Sequence, residues 1–241
     1  MTKHPASTKS NARKRTYYGV PIGILMLDTK FERFNGDIGN AQTWPFPVQY
    51  KIVHGAVPNK VVDMLDNRDL FHRFADAADE LIAEGVDGIT TTCGFLALYQ
   101  QELAAHCSVP VATSALLLIP TLTKLLPEGS RLGVLTFSAR DLTPAHFVAA
   151  GAPADTPVEG VQQDGVFQKA IYEQPCNDSI SAREAEVVAA ANRLIERHKD
   201  IGAILFECTN FPPHRGAVEK ATGLPVYDVF TLIGLLRSAT R

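Results

Sequence analysis

The chain has 241 residues, of which 46% are hydrophobic and 20% charged, and its formal net charge is −3. That length can bury a substantial core in one large domain or two modest ones. The charge balance lacks the basic excess of a nucleic-acid binder, and the longest apolar run, ALLLIP at 115–120, is far too short for a bilayer; small molecules or proteins are the expected partners, not nucleic acid or membrane.

Residues 1–18 are basic and polar with no apolar stretch, which predicts a disordered tail and not a secretory signal. From Pro21 onward, strand-like and helix-like segments alternate. A short apolar run at 21–28 predicts a strand, followed by a loop at 29–47 rich in Gly, Pro, Asn and Asp. A loop of that length inside a compact domain usually serves function. Alternation at 48–56 predicts a second strand. Leu70, Phe71, Phe74, Ala78, Leu81 and Ile82 recur at helical spacing, predicting a helix over 67–85 that ends at Gly85. Strands follow at 86–92 and 109–114, with helices at 95–107 and 115–126. The second half runs strand 131–137, helix 143–151, strand 158–162, helix 181–202, strand 203–207, helix 213–223, strand 225–229 and helix 231–239. Ser181 with Glu184 three residues on reads as a capping box for the 181–202 helix, and Gly202 as its end. The pattern predicts an α/β protein with two pseudo-symmetric domains built on mainly parallel sheets, at 19–127 and 128–230, the last helix packing back onto the first domain.

Two windows repeat this order. DGITTTCGFL…VPVATS and IGAILFECTNFPPH…LPVYDV each run strand, cysteine, helix and a second strand after a Pro. The same 17-residue step separates Cys93 from Pro110 and Cys208 from Pro225. Each half therefore places a cysteine at the carboxyl end of a strand, where open α/β sheets bind ligands. If the halves face each other, both thiols line one cleft. Cys107 and Cys176 lack that setting. No CxxC pair or zinc-like spacing occurs, so free thiols and a reducing cytoplasm are expected.

A thiol at a helix start is expected to favour its thiolate. Two facing thiols suit proton transfer at a carbon next to a carboxylate, with no cofactor. One removes the proton and the other delivers one to the opposite face. Backbone N–H groups of Gly94, Phe95, Thr209 and Asn210 are candidate donors to the developing negative charge, joined by the Thr209 and Asn210 side chains.

These residues resemble the aspartate/glutamate racemase superfamily. GAILFECTNFP is similar to its second cysteine motif, commonly Gly-Cys-Thr-His-Phe-Pro, and GITTTCGF with VPVATS to its first. The resemblance runs from about Gly19 to the end. It implies two α/β domains, a site between them, no cofactor and Cys93 and Cys208 as the acid/base pair. The chain departs from the racemases in carrying Gly94 and Phe95 where they often have Asn-Thr, and Asn210 where they have His. The superfamily also contains hydantoin racemases, maleate isomerases, arylmalonate decarboxylases and dimethylsulfoniopropionate lyases. The segment FNGDIGN resembles the Gly-Asp-Ile loop of the lyase branch.

In the 29–47 loop, Arg33 is a candidate partner for a substrate carboxylate and Asn40 a candidate donor to it, while Asp28 or Asp37 suits an ammonium group. Thr113 and Ser114 are candidates for carboxylate contact, or helix caps. Trp44 either closes over the site or packs. His214 reads as a surface residue, and Glu207, next to Cys208 on a strand, as structural. The expected activity is that of an isomerase, a cofactor-independent racemase acting on an acidic amino acid or related small carboxylate. A lyase or decarboxylase on the same scaffold is the first alternative, and a non-catalytic small-molecule binder the second. An apolar helix face is compatible with a homodimer.

Overall fold

The computed structural model describes Gly19 and residues 21–62, 68–173 and 179–238; the basic tail at 1–18 and Cys176 lie outside the described residues. Two four-stranded sheets organise the chain. The first takes β1 (Ile22–Leu27), β2 (Val48–Val53), β3 (Gly88–Thr91) and β4 (Val111–Ala112) in the order β2-β1-β3-β4. The second takes β5 (Arg131–Thr136), β6 (Val158–Gly160), β7 (Ile201–Phe206) and β8 (Val226–Tyr227) in the order β6-β5-β7-β8. Among the described residues every strand pairing is parallel, and one order maps onto the other strand for strand. The repeat seen in the sequence is therefore a repeat of topology. The central strands β1, β3, β5 and β7 are mostly buried and read as near-continuous apolar runs, as parallel strands covered on both faces must.

Helices α1 (Pro58–Val62), α2 (Arg68–Glu84), α3 (Gln100–His106), α4 (Ile119–Leu125), α5 (Pro144–Ala149), α6 (Val166–Tyr172), α7 (Ile180–Arg197), α8 (Arg215–Thr222) and α9 (Val229–Ser238) surround the sheets. The long helices of the two halves pack in the same way. A Cβ on Gly23 of β1 would lie 2.9 Å from Leu81 of α2, and one on Gly133 of β5 would lie 2.7 Å from Leu194 of α7. In each half a glycine in the first strand lets a helix leucine close onto the sheet. α9 lies against β3 and β4, with Leu236 on Gly88, so the end of the chain packs on the first sheet. One hydrophobic cluster joins that sheet and α9 to Leu132, Val134, Ala203 and Leu205 of the second sheet; a second cluster fills the space between β7 and α7.

Three predicted boundaries shift. Ser179, not Ser181, caps α7, its hydroxyl accepting from the Ala182 N–H. α7 ends at Arg197, and Gly202 belongs to β7, where a Cβ would meet the Ser130 side chain at 2.8 Å. The segments after Cys93 and before Arg215 begin as 3-10 turns, Gly94–Tyr99 and Pro212–His214, with α-helix only beyond them. α1 and α6 are additions to the predicted elements. Among the described residues no helix is long and apolar enough to cross a membrane.

Candidate active site

The strand order reverses direction at β1/β3 in one half and at β5/β7 in the other, and such switch points are where open α/β sheets bind ligands. Cys93 follows β3, Cys208 follows β7, and both line a single cleft enclosing about 510 Å³, its open mouth included. Gly94, Phe95, Thr209, Asn210 and Arg33 line it too, joined by Thr29, Phe31, Thr92, Phe137, Tyr172 and Glu207. Asn40, Thr113 and Ser114 do not. The Asn40 amide is spent within its own loop, donating to the Arg33 carbonyl at 2.9 Å and accepting from the Gln42 N–H at 2.9 Å. Thr113 is held by Gln100, whose Oε1 accepts from its N–H at 2.9 Å and its hydroxyl at 2.8 Å. Ser114 caps the turn Ala115–Leu118. Trp44 packs, its indole N–H reaching the Ile38 carbonyl and the Tyr50 hydroxyl and its ring lying on Phe46 and Phe230.

The loop after β1 reaches across to the second half. Arg33 Nη1 donates to Asp37 Oδ1 at 2.8 Å and Nη2 to the Thr29 hydroxyl at 3.0 Å, and its guanidinium lies 4.3 Å from the centre of the Phe31 ring. The Gly39 N–H donates to the same Asp37 oxygen at 2.7 Å. Asp37 Oδ2 accepts from Asn210 Nδ2 at 2.7 Å, and Asn210 Oδ1 accepts from the Cys208 thiol at 3.8 Å. A buried carboxylate in the first half thus orients the side chain that holds the thiol of the second. Thr209 adds another link, its hydroxyl donating to the Thr92 carbonyl at 2.8 Å. Asp37 is therefore occupied by protein groups, and the ammonium role suggested for it has no oxygen to use. Asp28 is likewise engaged, accepting from the Gly55 N–H at 3.1 Å.

The expectation of a thiolate favoured at a helix start does not hold. Burial pushes the Cys93 thiol up to about 12, with the Glu207 carboxylate adding to the rise. Cys208 is raised well above its ordinary value for the same two reasons, in that order. The turns that follow both cysteines are 3-10, so their sum of peptide dipoles is short. N–H groups of Phe95 and Leu96 face the Cys93 sulfur and that of Asn210 faces Cys208, which offsets only part of the rise.

Glu207 is the residue that sequence reasoning set aside. It is 1% exposed, yet it is one of the residues that line the cleft. Oε2 accepts from the Thr136 hydroxyl at 2.7 Å; Oε1 is buried without a hydrogen-bond partner. A Cβ on Gly94 would fall 2.0 Å from Oε1 and 2.5 Å from the Glu207 carbonyl oxygen, so glycine at 94 makes room for Glu207. Burial raises the Glu207 carboxyl to about 7. The signal lay in the motif: Glu207 stands where Gly-Cys-Thr-His-Phe-Pro begins with Gly. His214 is another correction, being 1% exposed, packed on Phe167 and pushed down to about 4 by burial. Among the described residues no group of three or more His, Cys, Asp or Glu is placed to hold a metal ion.

No family model matches the chain. Over 214 residues it is 31% identical to a dimethylsulfoniopropionate lyase of Durusdinium sp. clade D, covering 86% of this chain and 70% of that protein. The chain belongs to the dimethylsulfoniopropionate lyase family. Dimethylsulfoniopropionate lyases 3 and 7 of Emiliania huxleyi (strain CCMP1516) are each 28% identical over 87% of this chain, which spans 57% and 64% of their respective lengths. Solved structures share the fold at low identity. An arylmalonate decarboxylase superposes with a TM-score of 0.58 at 16% identity, covering 92% of this chain and 96% of the other. The aspartate racemase of Picrophilus torridus superposes with a TM-score of 0.53 at 18% identity, covering 92% and 95%. The chain thus shares the α/β fold of these solved structures, while the expected isomerase activity is corrected. The relatives in sequence are named lyases, which points to a lyase and away from an isomerase.

Proposed function

We propose that the protein cleaves dimethylsulfoniopropionate to acrylate and dimethyl sulfide, with a cleft thiol as the base. The match to the Durusdinium lyase over 86% of the chain carries this reading. The substrate is a zwitterion with a carboxylate at one end and a sulfonium at the other. A thiolate takes a proton from the carbon next to the carboxylate. The C–H electron pair becomes the new C=C bond, and the C–S bond breaks with its pair going to sulfur. The products are acrylate, neutral dimethyl sulfide and a protonated cysteine, which returns its proton to solvent.

Two features of the cleft support this chemistry. Cys93 suits the base, because two N–H groups face its sulfur, whereas Cys208 hands its S–H to Asn210. Arg33 lies at the cleft wall with a fixed side chain and suits the substrate carboxylate. Burial raises both thiols, and a cationic substrate entering beside them favours the thiolate that the reaction needs. The test is incubation of the purified protein with dimethylsulfoniopropionate, following acrylate by proton NMR and dimethyl sulfide in the headspace. Acrylate and dimethyl sulfide in equal amounts are expected. No acrylate from a folded protein refutes the reading.

A further inference from the structure

Glu207 carries a buried carboxyl for which the described residues supply no counter-charge. Oε2 is used by Thr136, but Oε1 is buried and has no partner, in a residue that lines the cleft. Among the described residues no cation acts on the carboxyl; burial and the Thr136 bond account for its state. A carboxyl left this way costs stability unless something completes it. The rings of Phe31, Phe95, Phe137 and Tyr172 line the same cleft. Phe95 is fixed edge-on by His146 at 5.2 Å and Phe137 by Tyr172 at 5.4 Å. A sulfonium carries positive charge but no N–H or O–H, so it is recognised by ring faces and by an anion, not by a directed hydrogen bond. Arg33, which also lines the cleft, is already paired with Asp37 and leaves Glu207 for the cationic end.

We propose that Glu207 is the specificity-determining residue for the cationic end of the substrate: its unpartnered Oε1, together with the rings that line the cleft, makes the site prefer a dimethylsulfonium tail to an uncharged tail of the same shape. This rests on the lyase reading for the identity of the substrate. It also has a kinetic consequence. The sulfonium charge disappears as the C–S bond breaks, so Glu207 holds the ground state more tightly than the transition state. Removing its charge therefore raises KM and does not lower kcat.

The test compares dimethylsulfoniopropionate with 4-methylpentanoate, its uncharged-tail isostere, on the wild-type protein and on Glu207→Gln. Calorimetry or competition gives the affinity for each ligand, and acrylate release gives kcat and KM. The wild type should prefer the sulfonium by about tenfold or more. Glu207→Gln should lose most of that preference, with its affinity for 4-methylpentanoate changed by less than about twofold. Retained binding of 4-methylpentanoate also reports a folded site. Equal losses on both ligands, or a fall in kcat with the preference intact, overturn the assignment. If Glu207→Gln does not fold, a wild type with no preference for the cation overturns it equally, and one with the preference that Glu207→Asp weakens upholds it. If the wild type binds dimethylsulfoniopropionate by calorimetry but releases no acrylate, the lyase reading fails while the cation preference is still measured.

Discussion

Replacing Glu207 by Gln removes a titrating group that the fold holds against its preference, and the effect on stability should depend on pH. The carboxyl rises from 4.5 in the unfolded chain to about 7 in the folded protein, burial being the cause. A raised carboxyl binds its proton more tightly when folded, so its penalty is absent below about 4.5 and grows as pH rises towards 7. At about 1.4 kcal/mol per unit, the full penalty above that range is on the order of 3 kcal/mol. Glu207→Gln keeps the shape and cannot ionise, so it escapes this loss. Without ligand, urea unfolding at pH 4.5 and pH 8 should show the wild type losing about 3 kcal/mol more than the variant between the two. Other groups, such as the depressed His214, titrate in both proteins and cancel in the comparison. A wild-type-to-variant difference that is the same at both pH values would refute the argument that burial raises this carboxyl.

The other expectations concern the thiols and their supports. Cys93→Ala should lower kcat for acrylate release by roughly 10²–10⁴ if it removes the base. Cys208→Ser, which keeps a donor to Asn210, should cost less than Cys208→Ala, measured as kcat under the same conditions. Gly94→Ala drives a methyl into Glu207 Oε1 and the Glu207 carbonyl; it should cost about 1–3 kcal/mol in denaturant unfolding, and Glu207→Gly added to it should recover part but not all of that loss. Asp37→Ala unpairs Arg33 and frees Asn210 in one step. It should cost about 3 kcal/mol or more of stability, with kcat falling alongside.

The α/β architecture was legible because parallel strands buried on both faces have a plain signature, an apolar run followed by an amphipathic helix. The repeat was legible because the spacing from cysteine to proline recurs without a gap. Those two signals brought Cys93 and Cys208 to matching strand ends before any coordinates. What could not be read was anything set by packing across the two halves. Asn40, Thr113 and Ser114 are polar residues near a strand end, as Arg33 is. Only the fold reveals that their hydrogen bonds are used locally. Strand alternation argues against a role for Glu207, but alternation does not show that its carboxyl reaches Thr136 and is left buried with one oxygen unpaired. The ionisation of the thiols was misjudged for a related reason. A helix start is visible in sequence, whereas the depth of a sulfur below the surface and a carboxylate beside it are not.

The bond from Asn210 to Asp37 breaks the resemblance between the two halves at the place where it would matter most for a reversible reaction. Cys208 is steadied from across the cleft through a carboxylate and an amide, while Cys93 is met by N–H groups of its own turn. A catalyst that must serve left- and right-handed forms of one molecule at matched rates gains from two thiols in mirror-like settings. An elimination that discards its sulfur as a volatile, uncharged product runs in one direction and asks for one base. Two unequal thiols on a duplicated scaffold fit chemistry with no mirror image to answer to.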